Sequence, residues 1–152
     1  MSLRRKTAVL FVAIMAWMSS LVMAADIPVT YPFGWRVHPL YGTWKFHAGV
    51  DLGYENGSGV PALWDGEVVQ CGNFGDGYGN QVMLYHAAVD AYTRYAHLSA
   101  IYVNGGDGVS QGQVIGAVGA TGNVTGPHLH LELIARGEDG SYQYVNPLDL
   151  WK

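Results

Sequence analysis

Gly126-Pro127-His128-Leu129-His130-Leu131-Glu132 is the stretch from which this chain is best read. Side chains alternate faces along a strand. Leu129, Leu131 and Leu133 then point one way, and His128, His130 and Glu132 the other. The leucines suit a core. The imidazoles and the carboxylate suit a groove, as metal ligands or acid/base groups. An H-x-H taken alone fits polar residues on a wet β face equally well. Partners elsewhere in the chain decide between the two.

Outward from this stretch the chain reads as short strands. Residues 81–85, 92–95, 114–118, 129–134 and 142–145 are rich in β-formers. Residues 60–64 and 67–71 flank Asp65-Gly66, a dipeptide suited to a two-residue hairpin turn. Residues 72–79, 104–108 and 119–127 read as turns and glycine-rich loops. Residues 26–41 carry Pro28, Pro32 and Pro39 among glycines and aromatics, which predicts a surface loop continuing to Phe46. No stretch after residue 25 keeps a helical period over ten residues. With 21 glycines and closely spaced turns, the expectation is an all-β antiparallel domain, a sandwich or a partly open barrel.

The start of the chain has a different character. Arg4, Arg5 and Lys6 precede an apolar run over 7–18, and Val22-Met23-Ala24 offers a small-x-small cleavage site. This predicts a signal peptide over 1–24, a single domain over 25–152, and a periplasmic or secreted location. The run is short for a membrane span, so none is expected after cleavage. Removing 24 of the 152 residues leaves 128, enough for one domain with its own core. Five basic residues then face twelve acidic ones, a formal charge of −7. That balance speaks against nucleic acid or an anionic membrane surface as partner. Cys71 is the single cysteine, so no internal disulfide forms, and its apolar neighbours mark it as a packing residue.

Six histidines are available: His38, His47, His86, His97, His128 and His130. His47 and Asp51 lie four apart around Gly49, on one face of an extended segment. A mononuclear catalytic zinc takes three protein ligands and keeps one position for water. His47, Asp51 and either His128 or His130 would fill that set. The remaining imidazoles would stand beside the metal as proton-transfer groups. His38 and His86 read as structural or surface residues. Glu132 either orients a ligand or is solvated. Arg36 suits a substrate carboxylate or, more simply, a structural ion pair. Phe33, Trp35, Tyr41 and Trp44 divide between groove and core.

Three segments, in order, carry a resemblance. His47-Ala48-Gly49-Val50-Asp51, Tyr95-Ala96-His97-Leu98-Ser99 and Gly126-Pro127-His128-Leu129-His130-Leu131-Glu132 look like the signatures of the lysostaphin-type zinc metallopeptidases. These are the peptidoglycan endopeptidases of bacterial cell walls. Gly34-Trp35-Arg36-Val37-His38-Pro39, Gly59-Val60-Pro61-Ala62, Tyr78-Gly79-Asn80 and Thr121-Gly122 extend the match to nearly the whole of 34–147. Ala120 and Leu131 depart from the pattern without removing a ligand. The resemblance implies zinc at the floor of a loop-walled groove, held by His47, Asp51 and His130. It implies His97 and His128 as catalytic residues and peptidoglycan peptide stems as substrate. A D-alanyl–diaminopimelate bond is favoured over a glycine bridge, since no wall-targeting module accompanies the domain. Two rival readings stand beside it. One is a non-catalytic domain that binds the wall or activates another hydrolase. The other is an enzyme whose segment before His47 fills the groove, with His38 reaching the metal. Oligomeric state and the division of labour between His97 and His128 are left open.

Overall fold

The computed structural model describes residues 27–38 and 41–151. The expected signal segment over 1–24 lies outside the described residues, as do Asp26 and Pro39. Twelve strands follow: β1 (Val29–Tyr31), β2 (Gly34–Val37), β3 (Trp44–His47), β4 (Val50–Leu52), β5 (Gly59–Pro61), β6 (Gly66–Asn73), β7 (Asn80–His86), β8 (Ala91–Ile101), β9 (Gly108–Val109), β10 (Val114–Val118), β11 (Leu129–Arg136) and β12 (Tyr142–Val145). A single-turn 3-10 helix, Pro147–Trp151, closes the described chain. No helix among the described residues is long and apolar enough to cross a membrane. The all-β antiparallel expectation holds.

Ten strands form one sheet with the path β1-β4-β11-β8-β7-β6-β9. β12 adds to β11, and β10 bridges β5 and β8. β8 is the spine. Its first half pairs with β11 and β7, and its second half carries β10. One core fills the fold of the sheet, built from Val50, Leu84, Tyr95, Leu98, Ile115 and Leu131 among others. Each such side chain contributes about 1.5–3 kcal/mol through burial. A smaller cluster of Trp64, Ala91, Leu133 and Leu150 seals the far end. Leu129, Leu131 and Leu133 all face inward, as the alternation in the HLHLE stretch requires.

Two expectations are corrected. The segment before His47 is not a loop. It contains β1 and the β2–β3 hairpin, which forms a separate two-stranded sheet. Pro28 and Pro32 flank β1 instead of interrupting it, so no ladder donor is lost. Asp65-Gly66 is not a hairpin turn either. β5 pairs with β10, while β6 pairs with β7 and β9. Neither Asp65 nor Gly66 has the positive φ of a type I′ turn. Asp65 instead clamps a neighbouring loop, accepting the Gln111 amide at 2.7 Å.

Candidate metal centre

Strand pairing assembles the site. β4 lies antiparallel to β11 with Asp51 directly opposite His130. His47 ends β3, and only Ala48 and Gly49 separate it from β4. Between them, Gly49 passes so close to β11 that a Cβ there would overlap the Leu131 carbonyl and crowd the His130 ring. His47 Nε2 and Asp51 Oδ1 lie 3.2 Å apart. Asp51 Oδ1 and His130 Nδ1 are 2.8 Å apart, and His47 Nε2 and His130 Nδ1 are 3.1 Å apart. Donor atoms on a tetrahedral zinc stand about 3.3 Å from one another. This triangle therefore fits a small tetrahedral cation with one side open.

The ring tautomers agree with that fit. A carbonyl can only accept, so His47 donates its Nδ1–H to Pro32 O at 2.9 Å. Its Nε2 lone pair is then free for a metal. His130 donates from Nε2 to the Glu132 carboxylate at 3.0 Å, which frees Nδ1. Glu132 is fully buried and is fixed in turn by Tyr78 Oη at 2.7 Å and Arg94 at 2.8 Å. Glu132 is therefore not a solvated carboxylate; it is buried and bonded to the His130 ring.

His97 and His128 flank the triangle. β8 does not stop at Ala96 but runs on through His97, whose φ is +63°. That left-handed residue turns the strand from β11 toward β10 and aims the imidazole into the groove. His97 donates Nδ1–H to Thr121 O at 2.8 Å. His128 sits just before β11, bridged to Gly119, and donates Nδ1–H to Gly126 O at 3.0 Å. Both rings thus leave Nε2 unblocked. His128 Nε2 is 3.7 Å from Asp51 Oδ1, outside the tight triangle, and the two ring centroids are 5.0 Å apart. His130, and not His128, is the ring whose nitrogen falls within the close cluster with His47 and Asp51.

Electrostatics follow from this packing. Burial works to raise the Asp51 carboxyl, yet the His130 and His47 rings against it hold it well below the usual carboxylate range. Burial opposes the charge on His130, but Asp51 and Glu132 raise its pKa. Burial pushes His97 down to about 4, against the opposing pull of the Thr121 carbonyl. Burial also disfavours ionised Glu132, and the bonds from His130 and Tyr78 outweigh it.

The remaining candidates sort as follows. His38 lines the groove and stacks on Tyr41 with centroids 4.6 Å apart, but it is not part of the ligand cluster. His86 is not a surface residue. It is completely buried, bonded to Asp65 O at 2.9 Å and Thr93 Oγ1 at 2.7 Å. Arg36 makes no ion pair among the described residues and lies over the Tyr31 ring instead. Trp35 and Trp44 are exposed and belong to neither core nor groove lining. Cys71 is half-buried and packs against the core. Tyr78 and Thr121 entered the sequence reading only as parts of the resemblance, with no role assigned to either. Their signal is the glycine beside each: Gly79 and Gly122 have φ of +63° and +82°, and side chains there would collide across the two loops.

Known proteins resemble the chain at both levels. The sequence profile of Peptidase family M23 matches residues 45–147. DD-carboxypeptidase/endopeptidase Mpg of Neisseria meningitidis is 45% identical over 122 residues, 80% of this chain and 26% of that protein. Peptidoglycan DD-endopeptidase ShyA of Vibrio cholerae is 47% identical over 103 residues, 67% of this chain and 23% of that protein. The chain thus spans about a quarter of the length of these curated relatives. The catalytic domain of lysostaphin from Staphylococcus simulans superimposes with a TM-score of 0.72 at 31% identity, covering 84% of this chain and 94% of that one. A zinc-containing peptidase from Vibrio cholerae gives 0.61 at 31% identity, covering 84% of this chain and 40% of that one.

Proposed function

The chain belongs to peptidase family M23, and on that premise we propose that it is a zinc metalloendopeptidase hydrolysing the peptide cross-links of peptidoglycan in the cell envelope. One observation carries this reading. Three donor atoms converge within 3.2 Å of each other, each with its ring tautomer or charge set to face a cation. His47, Asp51 and His130 would hold the zinc ion. When bound, zinc supplies Lewis-acid polarisation of a substrate carbonyl and of a water molecule.

The protein's own groups do the rest. His97 and His128 present Nε2 lone pairs to the groove because their Nδ1–H groups are committed to backbone carbonyls. Either ring can take the proton of the attacking water and pass it to the departing amine. Thr121 and Gly126 carbonyls keep both rings from flipping. The names of Mpg and ShyA favour a bond on the carboxyl side of D-alanine over a glycine bridge. The signal-like segment over 1–24 suits delivery to the periplasm or outside.

The test is digestion of purified sacculi with the chain from Ala25 onward, with and without a zinc chelator, read by mass spectrometry of released muropeptides. Chelator-sensitive loss of cross-linked dimers is expected, and the new termini name the bond. A folded, zinc-loaded sample that leaves dimers intact overturns the proposal.

A further inference from the structure

The β2–β3 hairpin has two unlike faces. Trp35 stands opposite Phe46 and Val37 opposite Trp44, so the apolar residues share one face. Arg36 stands directly opposite Lys45 on the other. Arg36 and Lys45 line the groove together with His47 and Asp51, and Phe46 of the first face reaches it too. Like charges directly opposite in an antiparallel pair repel. No ion pair among the described residues relieves the repulsion: the arginines that form such pairs are Arg94 and Arg136. The Arg36 guanidinium is held in place, 3.0 Å over the Tyr31 ring centroid and 3.4 Å from Pro32 O. Asp51 acts on it through space, but the Asp51 carboxylate is committed to the ligand triangle. Lys45 is exposed and makes no ion pair among the described residues. Two cations without an ion-pair partner among the described residues, on the wall of the groove that holds His47 and Asp51, suit an anion.

We propose that Arg36 and Lys45 bind the free α-carboxylate of the substrate residue on the leaving side of the scissile bond. The inference rests on the hydrolase reading above. In a D-alanyl–diaminopimelate cross-link, the carbon bearing the departing amine also bears a free carboxylate. The acyl-side D-alanine carries none, because its carboxyl is in the bond. A terminal D-alanyl-D-alanine has the same arrangement, whereas an interior glycine-bridge bond lacks it. The carboxylate carbon lies three bonds from the scissile carbon, about 3–4 Å away. Lys45 is two residues before His47 on the same face, about 7 Å along the strand. Its four-carbon stem covers that difference. Arg36 supplies a planar fork that matches a carboxylate, and Lys45 adds a mobile point charge. Selection of D,D-bonds over glycine bridges is thereby placed on one hairpin face.

Two muropeptide dimers test this, identical except that the leaving residue carries a carboxylate in one and a carboxamide in the other. The zinc-loaded chain is expected to show kcat/KM at least about tenfold higher for the free acid, the order expected for one charge-assisted contact. Lys45→Gln should shrink that preference severalfold, with zinc content and melting temperature unchanged. Arg36→Gln should do the same, but Arg36 shares the Pro32 carbonyl with His47 Nδ1, so Lys45 carries the test. Equal rates on both dimers, or a preference intact in Lys45→Gln, overturns the subsite. If neither dimer is cleaved, the hydrolase reading fails, and calorimetric titration of the metal-free chain decides the subsite. Tighter binding of the free acid that Lys45→Gln abolishes supports it, and equal binding of both dimers removes it.

Discussion

Glu132 Oε1 lies 3.0 Å from His130 Nε2, on the side of the ring away from Asp51 and His47. The carboxylate is fully buried, so its charge is balanced only by what touches it: His130, Arg94 and the Tyr78 hydroxyl. It fixes which His130 nitrogen is free and strengthens that nitrogen as a donor. Glu132→Gln keeps the shape and removes the charge. Zinc affinity should fall by about 10–100-fold, measured by competition with a chromophoric chelator. Unchanged affinity would reduce Glu132 to a packing residue.

His97 and His128 should behave differently from the ligands. His97→Ala and His128→Ala are expected to keep one zinc per chain and lose about 10²–10⁴ in kcat. His130→Ala should lose the metal itself. Metal content by atomic spectroscopy beside muropeptide turnover separates the two classes. Loss of zinc from His128→Ala would mean that the ligand set has been drawn one residue pair too narrowly.

Gly49 gives a test of the backbone. Its φ is not in the left-handed region, so strain is no objection to alanine there. Space is. The added methyl would meet the Leu131 carbonyl on β11 and crowd both His130 and the Glu132 side chain. Overpacking of this kind costs about 1–3 kcal/mol. Gly49→Ala should therefore lower the denaturation midpoint and weaken zinc binding together. A stable Gly49→Ala chain with normal zinc content would show that β4 can move away from β11.

The candidate site was more legible in the sequence than the path of the chain. The Leu129-His130-Leu131-Glu132 alternation is local, so the inward leucines and the His130–Glu132 face follow from strand geometry alone. The pairing of His130 with Asp51 is not local, since those residues are 79 positions apart in the chain. No period or turn signal encodes that register, and it rested on the resemblance. Asp65-Gly66 misled because a hairpin signal describes what a dipeptide permits. Val60 and Ala62 are buried, and their segment gains more by lying along β10 than by folding back on β6. His97 looked like a strand end because an L-residue with positive φ inside a strand leaves no mark in composition. His86 looked like a surface residue because its partners, Asp65 O and Thr93, are distant or backbone.

That buried His86 makes a pH-dependent contribution of known sign. Its Nδ1–H donates to Asp65 O, and its Nε2 meets Thr93 Oγ1, itself 3.0 Å from the Tyr95 hydroxyl. The Trp64 ring packs edge-on against it, centroids 5.2 Å apart. Burial lowers its pKa, although the Asp65 carbonyl pulls the other way. In the unfolded chain the imidazole takes its proton near the ordinary value of about 6.5. Below that pH the unfolded state binds more protons than the folded one, so the His86 contribution falls as pH drops and levels off once folded His86 also protonates. His86→Phe removes the titration and leaves two polar partners unsatisfied, at a cost of about 1–3 kcal/mol near neutral pH. Chemical denaturation of both chains at pH 7 and pH 5 should show the gap between them narrowing at the lower pH. A gap that stays constant would mean that folded His86 carries its proton as readily as the unfolded residue.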